Sequence, residues 1–265
     1  FGPRYYYTEE GIASAKDAYK KTYATQESAY WTQKLVFGLA SESPQVSDST
    51  LYDGKVADAA VSRLTELAKL DQSFFLAVGF IKPHSPYIAP KKYFDLYQDT
   101  PLALNPEFPL GAPSYAGHNS GELRRYSDQP GRGVIAESKQ QRIRQAYYAC
   151  VSFIDAQIGR VLGALDAANL SQSTIVVLVG DHGYHLGEQG LWGKTTNFEL
   201  DTRVPLIIRA PGVTTPGSSS GMLVELVDLF PTLAELAGLP LPQQLASTGL
   251  VSNLKDPSQE SVGYA

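Results

Sequence analysis

The sequence has one cysteine, Cys150, one methionine and two tryptophans. A lone thiol forms no intrachain disulfide, so packing and hydrogen bonds have to hold the fold. The compartment stays undecided, because a reducing cytosol and a disulfide-free secreted enzyme both fit. No apolar run approaches the roughly 20 residues that a bilayer crossing needs, which argues against a membrane partner. Basic charge is also scarce: 22 Lys and Arg face 27 Asp and Glu, a net charge of −5. That balance argues against a general nucleic-acid binder with its basic stripe, yet leaves room for a small anion held by a local group of cations. No internal repeat is visible. What is present is core material. The 265 residues are 43% apolar, with 16 Tyr and 10 Phe, which excludes disorder.

Along the chain, residues 1–50 are rich in Tyr, Ala and Lys. Ala13 to Ala40 can hold broken helix, and the Ser/Pro-rich run Ser41–Thr50 reads as a loop. From Asp53 to Leu70, Val56, Ala60, Leu64 and Leu67 recur at helical spacing. Phe74–Val78 is short, apolar and aromatic, and predicts a buried strand. Residues 83–137 lose periodicity and are crowded with Pro, Gly, Ser and Asn. Such a stretch either borders a functional site or is a tolerated surface insertion, and the sequence leaves both open. The strongest helix runs from about Ser138 to Ala168, with Ile143, Tyr147, Cys150, Ile154, Ile158, Val161 and Leu165 on one face. Strands are predicted at Thr174–Val179 and Pro205–Arg209. A further helix starts near Asp228, with Pro231 in its first turn and Gly238 beyond its end. The alternation implies an α/β fold with a mostly parallel sheet and helices on both faces, read as one domain. The first residues, Phe1-Gly2-Pro3-Arg4, and the last, Val262-Gly263-Tyr264-Ala265, give the expectation of an internal piece of a longer chain, incomplete at both ends.

In open α/β sheets, ligands bind beyond the carboxyl ends of the strands. Two such loops follow predicted strands: Lys82-Pro83-His84-Ser85-Pro86, and Gly180-Asp181-His182-Gly183 running on to Lys194. They contain three of the four histidines, His84, His182 and His185. Asp181 and His182 together can turn toward one divalent ion. A hard cation would want further oxygen ligands from elsewhere, and zinc would accept the mixture more readily. The competing reading is a turn in which Asp181 caps a helix or satisfies loop amides. Lys194 can donate to an anionic oxygen as a point charge, or be a solvated surface lysine. His84 can hydrogen-bond a substrate oxygen or move a proton near neutral pH, or be a core histidine bonded to backbone. No role is readable for His185 or for His118.

Taken together, these blocks resemble the sulfatases, and among them the iduronate-2-sulfatase-like branch. The resemblance is carried by Phe74-Phe75-Leu76-Ala77-Val78-Gly79-Phe80-Ile81-Lys82-Pro83-His84 and by the helix from Arg142 through Arg160. It continues through Asp181-His182-Gly183 to Lys194, Arg203-Val204-Pro205-Leu206-Ile207, and Val224-Glu225-Leu226-Val227-Asp228-Leu229-Phe230-Pro231-Thr232-Leu233. It covers roughly residues 53 to 240, in order, and is weaker over the first fifty.

The resemblance implies an alkaline-phosphatase-like α/β fold and hydrolysis of a sulfate ester by attack of a formylglycine hydrate at sulfur, with a divalent cation, usually calcium. Carried over residue by residue, it implies Asp181 and His182 as metal ligands, and Lys194 and His84 as catalytic and sulfate-contacting groups. Tyr184 and Trp192 fall where such enzymes shape the substrate pocket. It further implies a sulfated carbohydrate or other small sulfate ester as partner, a formylglycine-generating enzyme for maturation, and a lysosomal, periplasmic or secreted setting. The departures are specific. The family's Cys-x-Pro-x-Arg is absent, since Cys150 is followed by Val151-Ser152-Phe153 on a helix face, and the earlier Asp-Asp pair and Lys-x-x-His block are absent too. The nucleophile is therefore expected from upstream sequence, and the chain as given is expected to be inactive. Two alternatives stand beside this: a phosphomonoester or phosphonate-ester hydrolase of the same superfamily, and a non-catalytic carbohydrate-binding homologue.

Overall fold

A computed structural model describes residues 6–23, 37–98, 107–117 and 121–259. The elements in chain order are α1 (Glu9–Tyr23), β1 (Ser41–Glu42), α2 (Tyr52–Leu67), β2 (Tyr87–Ile88), α3 (Lys91–Phe94), α4 (Glu137–Ala167), β3 (Val176–Val179), β4 (His185–Leu186), β5 (Trp192–Gly193), α5 (Glu199–Thr202), β6 (Leu206–Arg209), α6 (Leu229–Leu236) and α7 (Val251–Lys255). They fall into two compact units. The first comprises residues up to Ala168 together with His182–Val204; the second comprises Asn169–Asp181 and Pro205 onward.

The first unit is built around α4, which packs along α2 and α3. Its stripe of Ile143, Ala146, Cys150 and Phe153 is fully buried, against Tyr87 and Phe94. Each such large apolar side chain contributes about 1.5–3 kcal/mol on burial. The periodic reading of this helix agrees with the structure to within a residue at each end. It missed Ala146 and Phe153, and it overstated Ile154 and Ile158, which are only half-buried. The 53–70 helix is likewise present, over Tyr52–Leu67, with Ala60, Leu64 and Leu67 inward. The expected helix near the start is seen as α1, while the rest of Ala13–Ala40 up to residue 36 lies outside the described residues. The run Ser41–Thr50 is more than a loop. Glu42 is buried, and its carboxylate accepts from the amides of Tyr7 (2.8 Å) and Thr8 (3.1 Å), tying β1 to the start of α1.

The described part of residues 83–137 consists of short elements and turns, and it reaches into the core. Tyr87, Phe94, Leu123, Tyr126 and Ile135 from this stretch are among the most buried side chains of the unit. Its lack of periodicity reflects short elements and 3-10 turns that present single residues to the core.

Cys150 is buried among these groups, and burial pushes its thiol pKa up to about 12. It is a core residue, inert in the native state. Native protein should give no reaction with a thiol-titrating disulfide reagent at pH 8, and one equivalent should react after denaturation. Fast native labelling would contradict this placement.

In the second unit β3 and β6 pair antiparallel, with Val176 opposite Arg209 and Val179 opposite Leu206. The helix near Asp228 is present as α6, with Pro231 in its first turn and Gly238 past its end at φ 68°. Buried Asp228 accepts from the Glu225 amide at 2.7 Å, and Thr232 donates to the Asp228 carbonyl at 2.6 Å.

The mostly parallel sheet is not what the described residues form. Only β1 and β2 pair parallel, while β3–β6 and β4–β5 are antiparallel. The connection from β3 to β6 carries a hairpin and the four-residue α5 in place of a crossover helix, so β6 returns against β3. Phe74–Val78 alternates in exposure, with Phe75 85% exposed, and pairs into no ladder among the described residues, so it is not the buried strand expected.

Candidate functional site

The block that carries His84 is fixed from three sides. Asp53, buried in the first turn of α2, accepts from the amides of Ile81 and Lys82, each at 2.9 Å. The Lys82 ammonium donates back to the carbonyls of His84 (2.7 Å) and Pro86 (2.6 Å), and its pKa is lowered by burial. His84 itself closes a turn onto the Ile81 carbonyl at 2.9 Å. Its ring is then oriented at both nitrogens. Nδ1 lies 2.6 Å from the Ser85 carbonyl, which can only accept, so Nδ1 donates and Nε2 faces outward. The reading of His84 as a core histidine bonded to backbone is thus half met: one nitrogen is spent on backbone and the other is not.

Lys194 follows the β4–β5 hairpin. Behind it, Thr195 sits at φ 79°, a left-handed conformation rare for a β-branched residue. Thr196 then anchors the loop: its amide and hydroxyl both donate to Asp201 Oδ2 at 2.7 Å. That leaves His185 Nε2, 3.3 Å from the same hydroxyl oxygen, as a donor to it. His185 and Asp201 are both buried, with His185 Nε2 3.6 Å from Asp201 Oδ1. His185, to which the sequence assigned no role, thus anchors the loop behind Lys194. His118 lies outside the described residues.

Glu122 joins these two blocks. One carboxylate oxygen lies 3.3 Å from His84 Nε2 and the other 3.1 Å from Lys194 Nζ. The Lys194 and Glu122 side chains are only 20% and 19% exposed, so Lys194 is not a solvated surface lysine. Around the trio, the hydroxyls of Ser85, Tyr87, Tyr126 and Tyr184 are buried without a well-formed hydrogen bond among the described residues. Tyr126 and Tyr184 are kept neutral, their pKa values raised first by burial and further by the nearby Glu122 charge. Tyr184 stacks on Tyr147 and meets Tyr87 edge-on. Trp192 is buried at 4% exposure, with the Arg144 guanidinium over its ring. In this state its indole is core.

Asp181 ends the β3 segment in the second unit, and His182 opens the following segment in the first; both are exposed. No helix begins here, so the helix-capping reading of Asp181 has nothing to cap. His182 Nδ1 donates to the Gly183 carbonyl at 2.8 Å, the tautomer that presents Nε2 as a ligand atom. Gly183 is a packing requirement: a Cβ there would lie 1.8 Å from the Leu200 carbonyl oxygen. One carboxylate and one imidazole do not make a cation site. Calcium takes about 6–8 oxygens, and no group of three or more His, Cys, Asp or Glu suited to a metal occurs among the described residues. Asp181 and His182 would need further oxygen ligands to complete a divalent cation site.

Sequence reasoning missed Glu122, Asp53 and Asp201. Glu122 lies in the aperiodic stretch with no spacing or motif to mark it. Asp53 reads as an ordinary first-turn acid of a helix. The Lys82-Pro83-His84 block was singled out, but nothing in it told that Lys82 would turn its ammonium onto the backbone.

With this geometry in place, comparison with known proteins gives a clear result. The sulfatase family model matches residues 4–239. The chain belongs to the sulfatase family. Human iduronate 2-sulfatase is 39% identical over 229 residues, covering 74% of this chain and 42% of that protein. The chain thus spans under half the length of the curated relatives it matches. Among solved structures, the phosphonate monoester hydrolase of Silicibacter pomeroyi aligns with a TM-score of 0.72 at 23% identity, over 92% of this chain and 50% of that one. A structure solved in complex with its substrate D-glucosamine-2-N,6-O-disulfate aligns with a TM-score of 0.63 at 21% identity, over 78% and 53%. At those identities the two structures speak for the fold alone, which is alkaline-phosphatase-like, with part of it present in this chain.

Proposed function

We propose that the protein carrying this chain hydrolyses sulfate esters of a sugar, with His84 and Lys194 as the donors that grip the sulfuryl group. The observation that carries this reading is the carboxylate of Glu122 held between His84 Nε2 and Lys194 Nζ. Two neighbouring oxygens of a carboxylate and two of a sulfate are spaced alike, so the pair that grips one can grip the other. Attack at sulfur crowds negative charge onto those oxygens, and fixed donors in a part-buried site stabilise it. Lys194 supplies a permanent charge. His84, with Nδ1 donating to the Ser85 carbonyl, presents Nε2 toward the sulfuryl group, and as imidazolium it would donate from Nε2 to a sulfuryl oxygen or pass that proton to the departing sugar oxygen. The nucleophile, a formylglycine, and the ligands that would complete a divalent cation site with Asp181 and His182 are proposed to come from sequence outside this chain. Tyr184 and Trp192 are proposed at most to back the substrate pocket. A sulfated sugar is favoured because iduronate 2-sulfatase is the relative at 39% identity.

The test is turnover by the full-length protein, co-expressed with a formylglycine-generating enzyme. Sulfate release from a sulfated uronic acid disaccharide and from an aryl sulfate is the expected result. Absence of release from both, with formylglycine verified by mass spectrometry and calcium supplied, overturns the reading. Faster turnover of phosphonate esters would favour the phosphonate hydrolase alternative.

A further inference from the structure

The trio His84, Glu122 and Lys194 does more than collect donors, because it brings a negative charge to the point where an anion is to bind. We propose that Glu122 sets charge selectivity at this site, admitting monoanionic esters and disfavouring dianionic phosphate monoesters. The inference rests on the reading of His84 and Lys194 as the sulfuryl-gripping pair.

The geometry supports it in three steps. Glu122 contacts both donors, at 3.3 and 3.1 Å, so its charge acts on each. His84 faces an acceptor at each ring nitrogen, the Ser85 carbonyl and the Glu122 carboxylate. Glu122 thereby offsets one unit of the positive charge that the two donors present to an anion. The neighbouring Tyr126 and Tyr184 add hydroxyls and no charge. Lys82 directs its ammonium onto the His84 and Pro86 carbonyls and not into the trio. A sulfate monoester carries one negative charge, shared over the oxygens that the donors hold. A phosphate monoester above its second ionisation, near pH 6, carries two, and its second charge meets the Glu122 carboxylate. Shape cannot make this distinction, because tetrahedral sulfur and phosphorus oxyanions are alike in size. One carboxylate placed among the donors can.

The experiment uses the full-length protein and two competitive inhibitors of the same shape, methyl sulfate and methyl phosphate. At pH 8 the ratio of their inhibition constants is measured for the wild type, Glu122→Gln and Glu122→Asp. Glu122→Gln is expected to lower the methyl phosphate constant relative to the methyl sulfate constant by about tenfold, the order of one charge–charge interaction in a part-buried site. Glu122→Asp is expected to keep the wild-type ratio within about threefold. An unchanged ratio in Glu122→Gln, or the same change in both variants, overturns the proposal. If Glu122→Gln does not fold, the wild type decides. Its ratio of methyl phosphate to methyl sulfate constants should rise about tenfold between pH 5.5 and pH 8, as methyl phosphate gains its second charge, and a flat ratio overturns the proposal. The two readings fail separately. Intact selectivity without sulfate-ester turnover sinks the hydrolase reading alone, whereas turnover with a flat ratio sinks only the charge match.

Discussion

Lys194→Ala in the full-length protein should lower kcat/KM for a sulfate ester by about two to three decades while leaving the thermal unfolding midpoint within a few degrees of wild type. The magnitude is that of one fixed donor to a developing oxyanion, roughly 2.7–4 kcal/mol. The small effect on stability follows from what Lys194 touches. It pairs with Glu122 at the margin of the core, and the loop behind it is held by Thr196, His185 and Asp201 without its help. Lys194→Arg should not rescue activity fully, because a planar guanidinium fork cannot take the place of a compact ammonium at a 3.1 Å contact. Steady-state kinetics alongside circular dichroism checks this. A variant with near wild-type kcat/KM would remove Lys194 from the chemistry.

The second large effect concerns a residue that acts on the site only through the turn that presents His84. Asp53→Ala should destabilise the protein by about 3–5 kcal/mol, the range for removing one member of a buried charged network. Two amides, those of Ile81 and Lys82, lose their acceptor, and the Lys82 ammonium loses a nearby opposite charge. Because the same contacts fix the turn that presents His84, the folded fraction should also show a lower kcat/KM with little change for a variant such as Lys55→Ala on the exposed side of α2. Asp53→Asn, which keeps one acceptor oxygen, should fall between. Denaturant unfolding that moves by less than about 1 kcal/mol for Asp53→Ala would refute this account.

The sequence was most legible where one period governs many residues. α4 and α2 could be read because burial of one stripe imposes its spacing on the chain. The punctuation of α6 by Pro231 and Gly238 could be read for a similar reason, since both residues have conformational requirements that depend on no distant partner. Strand pairing could not be read, because β3 and β6 have the same apolar pattern whichever direction they run, and only the short α5 connection decides it. For the site, the loops after the apolar runs named His84 and Lys194, because ligands of α/β folds gather beyond the carboxyl ends of strands. Glu122 was invisible because its meaning lies in two partners distant in sequence, and no local regularity records a long-range ion pair.

The clamp at Thr196 has a kinetic and thermal consequence for the lysine ahead of it. Its tether is immobilised when the chain folds, so an arriving oxyanion meets a donor already aimed and need not organise a loose segment. Loosening His185 or Asp201, which hold the loop through Thr196, would therefore weaken affinity through entropy and leave the charges of His84, Glu122 and Lys194 unaltered.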